Sequence, residues 1–343
     1  MIDTPQETGT TSLPEQSVPL QRTERRAHSV LAGFERFSLL FVWAAVIVVF
    51  SILEPSTFPT VDNFSTIFGS QAVILVLTLA VIIPLTAGDY DLSIAATLSL
   101  SAMVVAILNV NYHWSIYAAM ICGLAVGALV GLVNGGIVVL LGIDPFVVTL
   151  GIGTFIQGVV LWISGSNTIS GVSDSLVRPV IVNRFLGVPL EFYYGLGLCL
   201  FLWYVFELTP LGRRVLFTGQ SRSVARLSGI SVGRIRWGAF VACGVIAAGA
   251  GLVYAGTTGS ADPSSGLQFL LPAYAAAFLG STSIQPGRFG PAGAFGAVYF
   301  LITGITGLQL SGVQAFVQQL FYGGALVLAV ALSQTMKRRR AGL

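Results

Sequence analysis

The sequence has few charged side chains. Only 9% of its 343 residues are Asp, Glu, Lys or Arg, whereas soluble domains usually contain about 25%. Hydrophobic residues make up 55% of the chain. This balance excludes a soluble globular protein and indicates an integral membrane protein. Because the apolar runs approach the roughly 20 residues that cross a bilayer as a helix, we predict an all-α, polytopic fold rather than a β-barrel.

Residues that carry out chemistry or hold cofactors are also scarce. The single lysine is Lys337, close to the end of the sequence, so no lysine follows a glycine turn as a P-loop requires. His28 and His113 lie outside the predicted crossings, and the three cysteines lack metal-site spacing. We therefore expect no catalytic site, no metal and no cofactor in this chain, and an intramembrane enzyme is disfavoured. If ATP drives the protein, another subunit binds it.

Alternating apolar runs and polar loops predict about ten transmembrane helices between residues 34 and 335, some of them short or interrupted. One such run, 271–280, is expected to be broken by Pro272. Residues 1–33 are polar and lack apolar periodicity, which predicts a disordered cytoplasmic tail. Residues 336–343 form a basic cytoplasmic tail.

The basic residues predict the orientation of these helices. With ten crossings, both termini and the loop 209–236 lie on one side, which then receives every basic residue except Arg178 and Arg184. The positive-inside rule makes that side cytoplasmic.

The loop 209–236, called here the arginine loop, carries six arginines in a chain that is otherwise almost uncharged. They are Arg213, Arg214, Arg222, Arg226, Arg234 and Arg236. Each arginine costs about 2.5–3.5 kcal/mol at a bilayer centre, so the loop lies outside the membrane. Within it, Ser221 is expected to cap a short helix. Its Val224 and Leu227 fit an apolar groove on a partner, with arginines meeting acidic rims; alternatively, the arginines only set the topology.

Two irregular segments indicate a transport pathway. In 86–96, Asp89 and Asp91 lie at or near membrane depth, where ionisable groups are functional candidates. The alternative for Asp91 or Ser93 is capping of the following helix, and both roles are compatible. The segment 280–291 has too many glycines and prolines for a regular helix throughout. The predicted pathway residues are Asp89, Asp91, Ser93, Thr149, Gly280 and Ser281.

Two further patterns have structural explanations. Asp144 followed by Pro145 is the expected start of a helix, with the aspartate as the cap. Glycines recur every four residues and share one helix face, called here the glycine face: Gly123, Gly127, Gly131 and Gly135. Such a face allows another helix to approach closely, either within the chain or across a dimer seam.

Four motifs, in order along the chain, resemble the permease subunit of bacterial ABC importers of the ribose, galactose, xylose and arabinose type. They are Phe58, Thr60 and Asn63; GDYDLSIA at 88–95 in place of GGIDLSVG; PFVVTLG at 145–151; and, in the arginine loop, Thr209, Gly212, Arg213, Gly219, Ala225, Ser228, Gly229 and Ile230. The chain departs from the family pattern at Asp89, Tyr90 and Ala95. The family's G-Y-E-L reads Gly266-Leu267-Gln268-Phe269, without the glutamate.

The resemblance implies that two permease subunits, identical or paralogous, form a pathway through the bacterial plasma membrane for a monosaccharide or similar polar solute. It also implies an ABC ATPase subunit, docked on the cytoplasmic side, and an extracytoplasmic solute-binding protein; no nucleic-acid partner is expected. The residues implied in ATPase coupling are Arg213, Gly219, Arg222, Val224, Ala225, Arg226, Leu227 and Gly229.

Other functions remain open at this point. The same type of importer can carry a nucleoside or a branched-chain amino acid. A stand-alone secondary transporter or channel is a different class, which usually places charged relays inside the crossings. Such charges are scarce here.

Overall fold

The computed structural model describes the backbone of residues 21–314 and 316–340, and the side chains of residues 37–314 and 316–331. The predicted disordered tail therefore lies largely outside the described residues. Its last part, 21–33, is helical, because α1 begins at Gln21, whereas a disordered tail was predicted up to Gly33. Alanine, glutamate and arginine supply eight of the sixteen residues from 21 to 36, and all three favour helix.

The described chain is helical, with four very short strands. The helices are α1 (Gln21–Leu53), α2 (Val61–Ser70), α3 (Ala72–Ala87), α4 (Ile94–Ala106), α5 (Ile116–Leu140), α6 (Pro145–Ser164), α7 (Asp174–Val177), α8 (Leu190–Trp203), α9 (Pro210–Gln220), α10 (Arg222–Leu227), α11 (Val232–Thr258), α12 (Leu267–Gly280), α13 (Pro291–Leu310) and α14 (Phe316–Arg340). π-Helical turns follow α4, α7 and α8, at Ile107–Asn111, Arg178–Val182 and Tyr204–Leu208. The strands are β1 (Ile169–Ser170), β2 (Arg184–Phe185), β3 (Val188–Pro189) and β4 (Ser260–Ala261).

Several helices match a bilayer in length and composition. Five are long and apolar enough to cross it: α4 with its π-helical turn, α5, α6, α11 and α13. The number rises to seven if α2 with α3, bent by 40°, and α8 with α9, bent by 75°, each count as one span. Shorter apolar helices cover 37–53, 267–280 and 316–331. The predicted all-α membrane fold is confirmed at this level.

The centre of the bundle is α3, in which every residue from Ala72 to Ala87 is buried. An α-helix that is apolar on all sides is stable only when neighbours surround it. Helices α8, α11, α12 and α13 pack against it. Cys199 and Cys243 are buried in the same core, and Cys122 is half-buried; all three are free thiols.

The glycine face of α5 lies against helices of the same chain. A Cβ atom at Gly127 would collide with the carbonyl oxygen of Gly244, and one at Gly131 with that of Phe240, both in α11. At Gly123, it would lie 2.9 Å from the Ser101 Oγ atom of α4. Small residues thus bring the α5 and α11 backbones into direct contact.

The predicted start of helix α6 at Asp144 and Pro145 is confirmed. The Asp144 side chain accepts hydrogen bonds from the N–H groups of Phe146 (2.9 Å) and Val147 (3.4 Å), with Pro145 in the first turn. The predicted break at Pro272 is wrong, because this proline lies inside α12. Membrane helices tolerate an internal proline when neighbouring groups satisfy the freed backbone. The predicted irregular segment is confirmed, since 281–290 is not helical.

At one end of the bundle, two distant loops pair through β1 and β4, with Ile169 opposite Ala261. Next to this pair, the Thr168 hydroxyl donates to an Asp262 carboxylate oxygen at 2.7 Å. Hydrogen bonds from Ser264 and Thr168 hold the pKa of Asp262 below its usual value. This end of the bundle is called here the β1–β4 end.

Candidate functional site

The arginine loop folds into two short helices joined at Ser221. The Thr209 hydroxyl caps α9 by accepting from the Gly212 N–H at 3.4 Å. Ser221 caps α10 by accepting from the Val224 N–H at 3.4 Å, as predicted. After α10, Gly229 adopts a φ of +78°, which turns the chain into α11.

Helix α10 presents an apolar tip on the protein surface. Ala225 is 1% exposed and anchors the helix, whereas Val224 is 55% exposed and Leu227 is 89% exposed. Arg226 in the same helix and Arg213 in α9 are also exposed.

The arginine loop is tied to the rest of the bundle through Asp89, which is 1% exposed. Arg236 pairs with it through two contacts, Nε to Oδ2 at 2.7 Å and Nη2 to Oδ1 at 2.8 Å. Arg222 donates from Nη2 to Oδ1 at 2.8 Å and to the Gly88 carbonyl oxygen at 3.0 Å. Charge-assisted and paired contacts of this kind are the strong ones. Asp89, which was predicted among the pathway residues, lies in a charged cluster with Arg222 and Arg236.

Backbone contact supports the same connection. Gly219 of α9 lies so close to the end of α3 that a Cβ atom there would collide with the Thr86 carbonyl oxygen. Gly88, at a φ of +83°, ends α3 opposite Gly219. Two glycines therefore allow the arginine loop to rest directly on the α3 terminus.

Residues 88–93, called here the junction, continue from this contact into the interior. The Asp91 Oδ1 atom accepts from the Ser93 N–H at 3.0 Å and from the Ser93 hydroxyl at 2.6 Å. The Asn134 side chain of α5 donates to Ser93 Oγ at 2.8 Å, and the Thr149 hydroxyl of α6 accepts from the Leu92 N–H at 3.0 Å. The junction thus holds α5 and α6 together.

Helix α12 also reaches the junction. The Tyr274 hydroxyl donates to the Asp91 carbonyl oxygen at 2.9 Å. Sequence reasoning missed Asn134 and Tyr274, since a single polar residue within an apolar run carries no positional signal. The capping prediction is wrong for Ser93, which makes no side-chain bond to α4 because its own backbone is already helical, at φ −77° and ψ −9°. Asp91 binds the N–H of Ser93, one residue before α4 begins.

The other predicted pathway residues lie elsewhere. Gly280 ends α12 in backbone contact with Gly293 of α13. Ser281 is 1% exposed and donates to the Phe278 carbonyl oxygen at 2.7 Å. Of the six predicted residues, the structure therefore brings only Asp91, Ser93 and Thr149 into one network. In the part of the chain that the structure describes, His, Cys, Asp and Glu form no group of three that could hold a metal ion.

A family model described as the permease component of the branched-chain amino acid transport system matches residues 63–330. The chain belongs to this family of permease components. It is 31% identical over 325 residues to the D-allose transport system permease protein AlsC of Escherichia coli K12, covering 94% of the permease and 98% of AlsC. It is 30% identical to the ribose import permease protein RbsC of E. coli K12, with 85% and 91% covered.

The permease is also 31% identical to the autoinducer 2 import system permease protein LsrD of Salmonella typhimurium LT2, over 76% of this chain and 80% of LsrD. No solved structure matched it. The resemblance to permeases of sugar-type ABC importers is confirmed, and the permease is a multi-pass protein of the bacterial inner membrane.

Proposed function

We propose that the permease is the membrane-spanning subunit of an ABC importer for a neutral monosaccharide or a similar small polar solute. The observation that carries the proposal is the nearly end-to-end match to a D-allose permease. The name of a second relative, a ribose permease, also supports an uncharged sugar. The name of the family model makes a branched-chain amino acid the second candidate.

We further propose ten crossings with both termini in the cytoplasm. The five long helices, one span from each of the two bent pairs and the three shorter apolar helices together make ten. In the pair of α8 and α9, α8 supplies the crossing and α9 belongs to the cytoplasmic arginine loop. Contacts within the chain support this topology, because segments that touch each other are assigned to the same side of the membrane. The two loops that pair through β1 and β4 are both extracytoplasmic in it. Asp89, Arg222 and Arg236 all fall on the cytoplasmic side.

ATP hydrolysis is assigned to a separate ATPase subunit that binds α10. Full burial of a leucine side chain contributes about 1.5–3 kcal/mol, and Leu227 is 89% exposed in this chain. Because Arg222 of α10 is paired with Asp89 and Asp91 lies two residues away, a displacement of α10 reaches the junction directly. A second permease subunit and an extracytoplasmic binding protein complete the proposed importer.

The test is uptake by the permease purified from its host membrane together with its co-purifying subunits and reconstituted in proteoliposomes. Labelled D-allose, D-ribose and L-leucine are supplied with the binding protein, with ATP inside or absent. We expect ATP-dependent uptake of one sugar and none by the permease alone. Uptake by the permease alone, driven by an ion gradient, would instead identify a secondary carrier, and ATP-dependent uptake of leucine alone would identify the second candidate.

A further inference from the structure

A cavity of about 420 Å³ lies between the first turns of α12 and α14. Three glutamine side chains line it, Gln268 from α12 and Gln318 and Gln319 from α14, together with Tyr322. Two leucines and a proline of α12 complete the wall. Its volume falls within the range of about 300–1,000 Å³ that is usual for small-molecule sites. We call it the amide cavity.

The three amides have no hydrogen-bond partners within the described chain. Gln268 and Gln319 are exposed and Gln318 is half-buried, and no described side chain or backbone group pairs with their carboxamides. A carboxamide carries two donors and one acceptor with two lone pairs. Leaving these groups against lipid is costly, so water, a solute or another subunit must satisfy them.

The amide cavity lies at the β1–β4 end of the bundle. Helix α12 begins at Leu267, a few residues after Asp262. The Asp262 carboxylate accepts a hydrogen bond from the Thr168 hydroxyl, next to β1. In the proposed topology, this is the extracytoplasmic end, opposite the arginine loop. A solute released outside the cell would therefore meet this cavity before it reaches the junction.

The lining selects for one class of solute. None of the residues around the amide cavity is charged, so neither a carboxylate nor an ammonium group would find an opposite charge there. A hydroxyl group both donates and accepts, and a carboxamide matches both functions.

We propose that the amide cavity is a solute-binding site of the permease itself, for an uncharged polyhydroxylated molecule such as an aldose. The inference rests on the proposed function for its direction of transport. It adds that the membrane subunit, in addition to any binding protein, recognises hydroxyl groups through Gln268, Gln318 and Gln319.

The experiment measures protection of an introduced cysteine in the intact importer, in right-side-out vesicles without ATP. Gln319→Cys is made in a Cys122→Ala background, because Cys199 and Cys243 are buried. A membrane-impermeant maleimide labels it in the presence of D-allose, D-ribose or L-leucine. Gln309→Cys is the matched control, an exposed glutamine at the end of α13 that does not line the amide cavity.

We expect at least one sugar to slow labelling of Gln319→Cys about threefold or more, leucine to have no effect, and labelling of Gln309→Cys to be unchanged. Adding Gln268→Met, which keeps the length of the side chain but removes the amide, should abolish the protection. Equal labelling with and without the sugar that the wild-type importer transports would overturn the site. Protection by leucine and not by sugars would overturn the ligand class.

The two proposals fail separately in this design. Protection without any ATP-dependent uptake would retain the amide cavity as a sugar site and refute the importer function. ATP-dependent sugar uptake without protection would retain the importer function and refute the amide cavity as a sugar site.

Discussion

Removal of the Asp89 charge is the perturbation with the clearest expected outcome. The carboxylate is 1% exposed and accepts three hydrogen bonds from two arginines. In Asp89→Asn, the Arg236 guanidinium, whose side chain is 13% exposed, loses its ion partner. Leaving one partner of a buried pair uncompensated destabilises by about 3–5 kcal/mol.

Asp89, Arg222 and Arg236 should not contribute equally to the free energy of unfolding. The Arg222 side chain is 46% exposed, so water screens its pairing with Asp89, and exposed pairs contribute about 0–1 kcal/mol. Arg236 makes two contacts from a nearly buried position. The expected order of destabilisation is therefore Asp89→Asn and Arg236→Gln first, then Arg222→Gln, with Arg226→Gln as the exposed control.

The assay is the thermal unfolding midpoint of the detergent-purified permease, measured for each variant and for Asp89→Asn combined with Arg236→Gln. The double variant removes both charges, so we expect it to be less destabilised than the sum of the two single variants. Midpoints for Asp89→Asn and Arg226→Gln that do not differ would refute this reasoning. Strict additivity in the double variant would refute the pairing specifically.

Further outcomes follow from α9, α10 and α6. Leu227→Asp places a charge on the apolar tip of α10 and should abolish ATP-driven uptake with an unchanged unfolding midpoint, whereas retained uptake would exclude this tip as the docking site. Gly219→Ala forces the arginine loop away from the Thr86 carbonyl and should lower the unfolding midpoint; a midpoint within error of the wild type would contradict that contact. Asp144→Ala removes the α6 cap and should cost about 0.5–2 kcal/mol in stability, with Asp144→Ser close to wild type in the same unfolding assay.

Local signals in the sequence were sufficient where the physical cause is local. A cap needs only a side chain within three residues of the N–H groups that it accepts, which is why Ser221 and Asp144 could be identified from their neighbours alone. The arginine loop was equally clear, since charge and apolar runs exclude each other in a bilayer.

The partners of buried polar groups could not be predicted in this way. Asp89 and Arg236 are separated by 147 positions, and their pairing depends on the end of α3 meeting the start of α11. Asp89 and Asp91 were both predicted at or near membrane depth, because the sequence does not show which way either side chain points. The amide cavity likewise joins glutamines from two helices, and only their packing shows that they share one space.

The complete burial of α3 has a consequence for how this protein is made. A helix with no polar side enters the bilayer readily as soon as it is synthesised, and at that moment lipid surrounds it on every side. Of its final neighbours, α8 begins at Leu190, and α11, α12 and α13 begin at Val232, Leu267 and Pro291, far later in the chain. The lipid around α3 can therefore be replaced completely by protein only near the end of synthesis. A chain cut short before α11 should insert in the membrane, remain unassembled and be open to degradation.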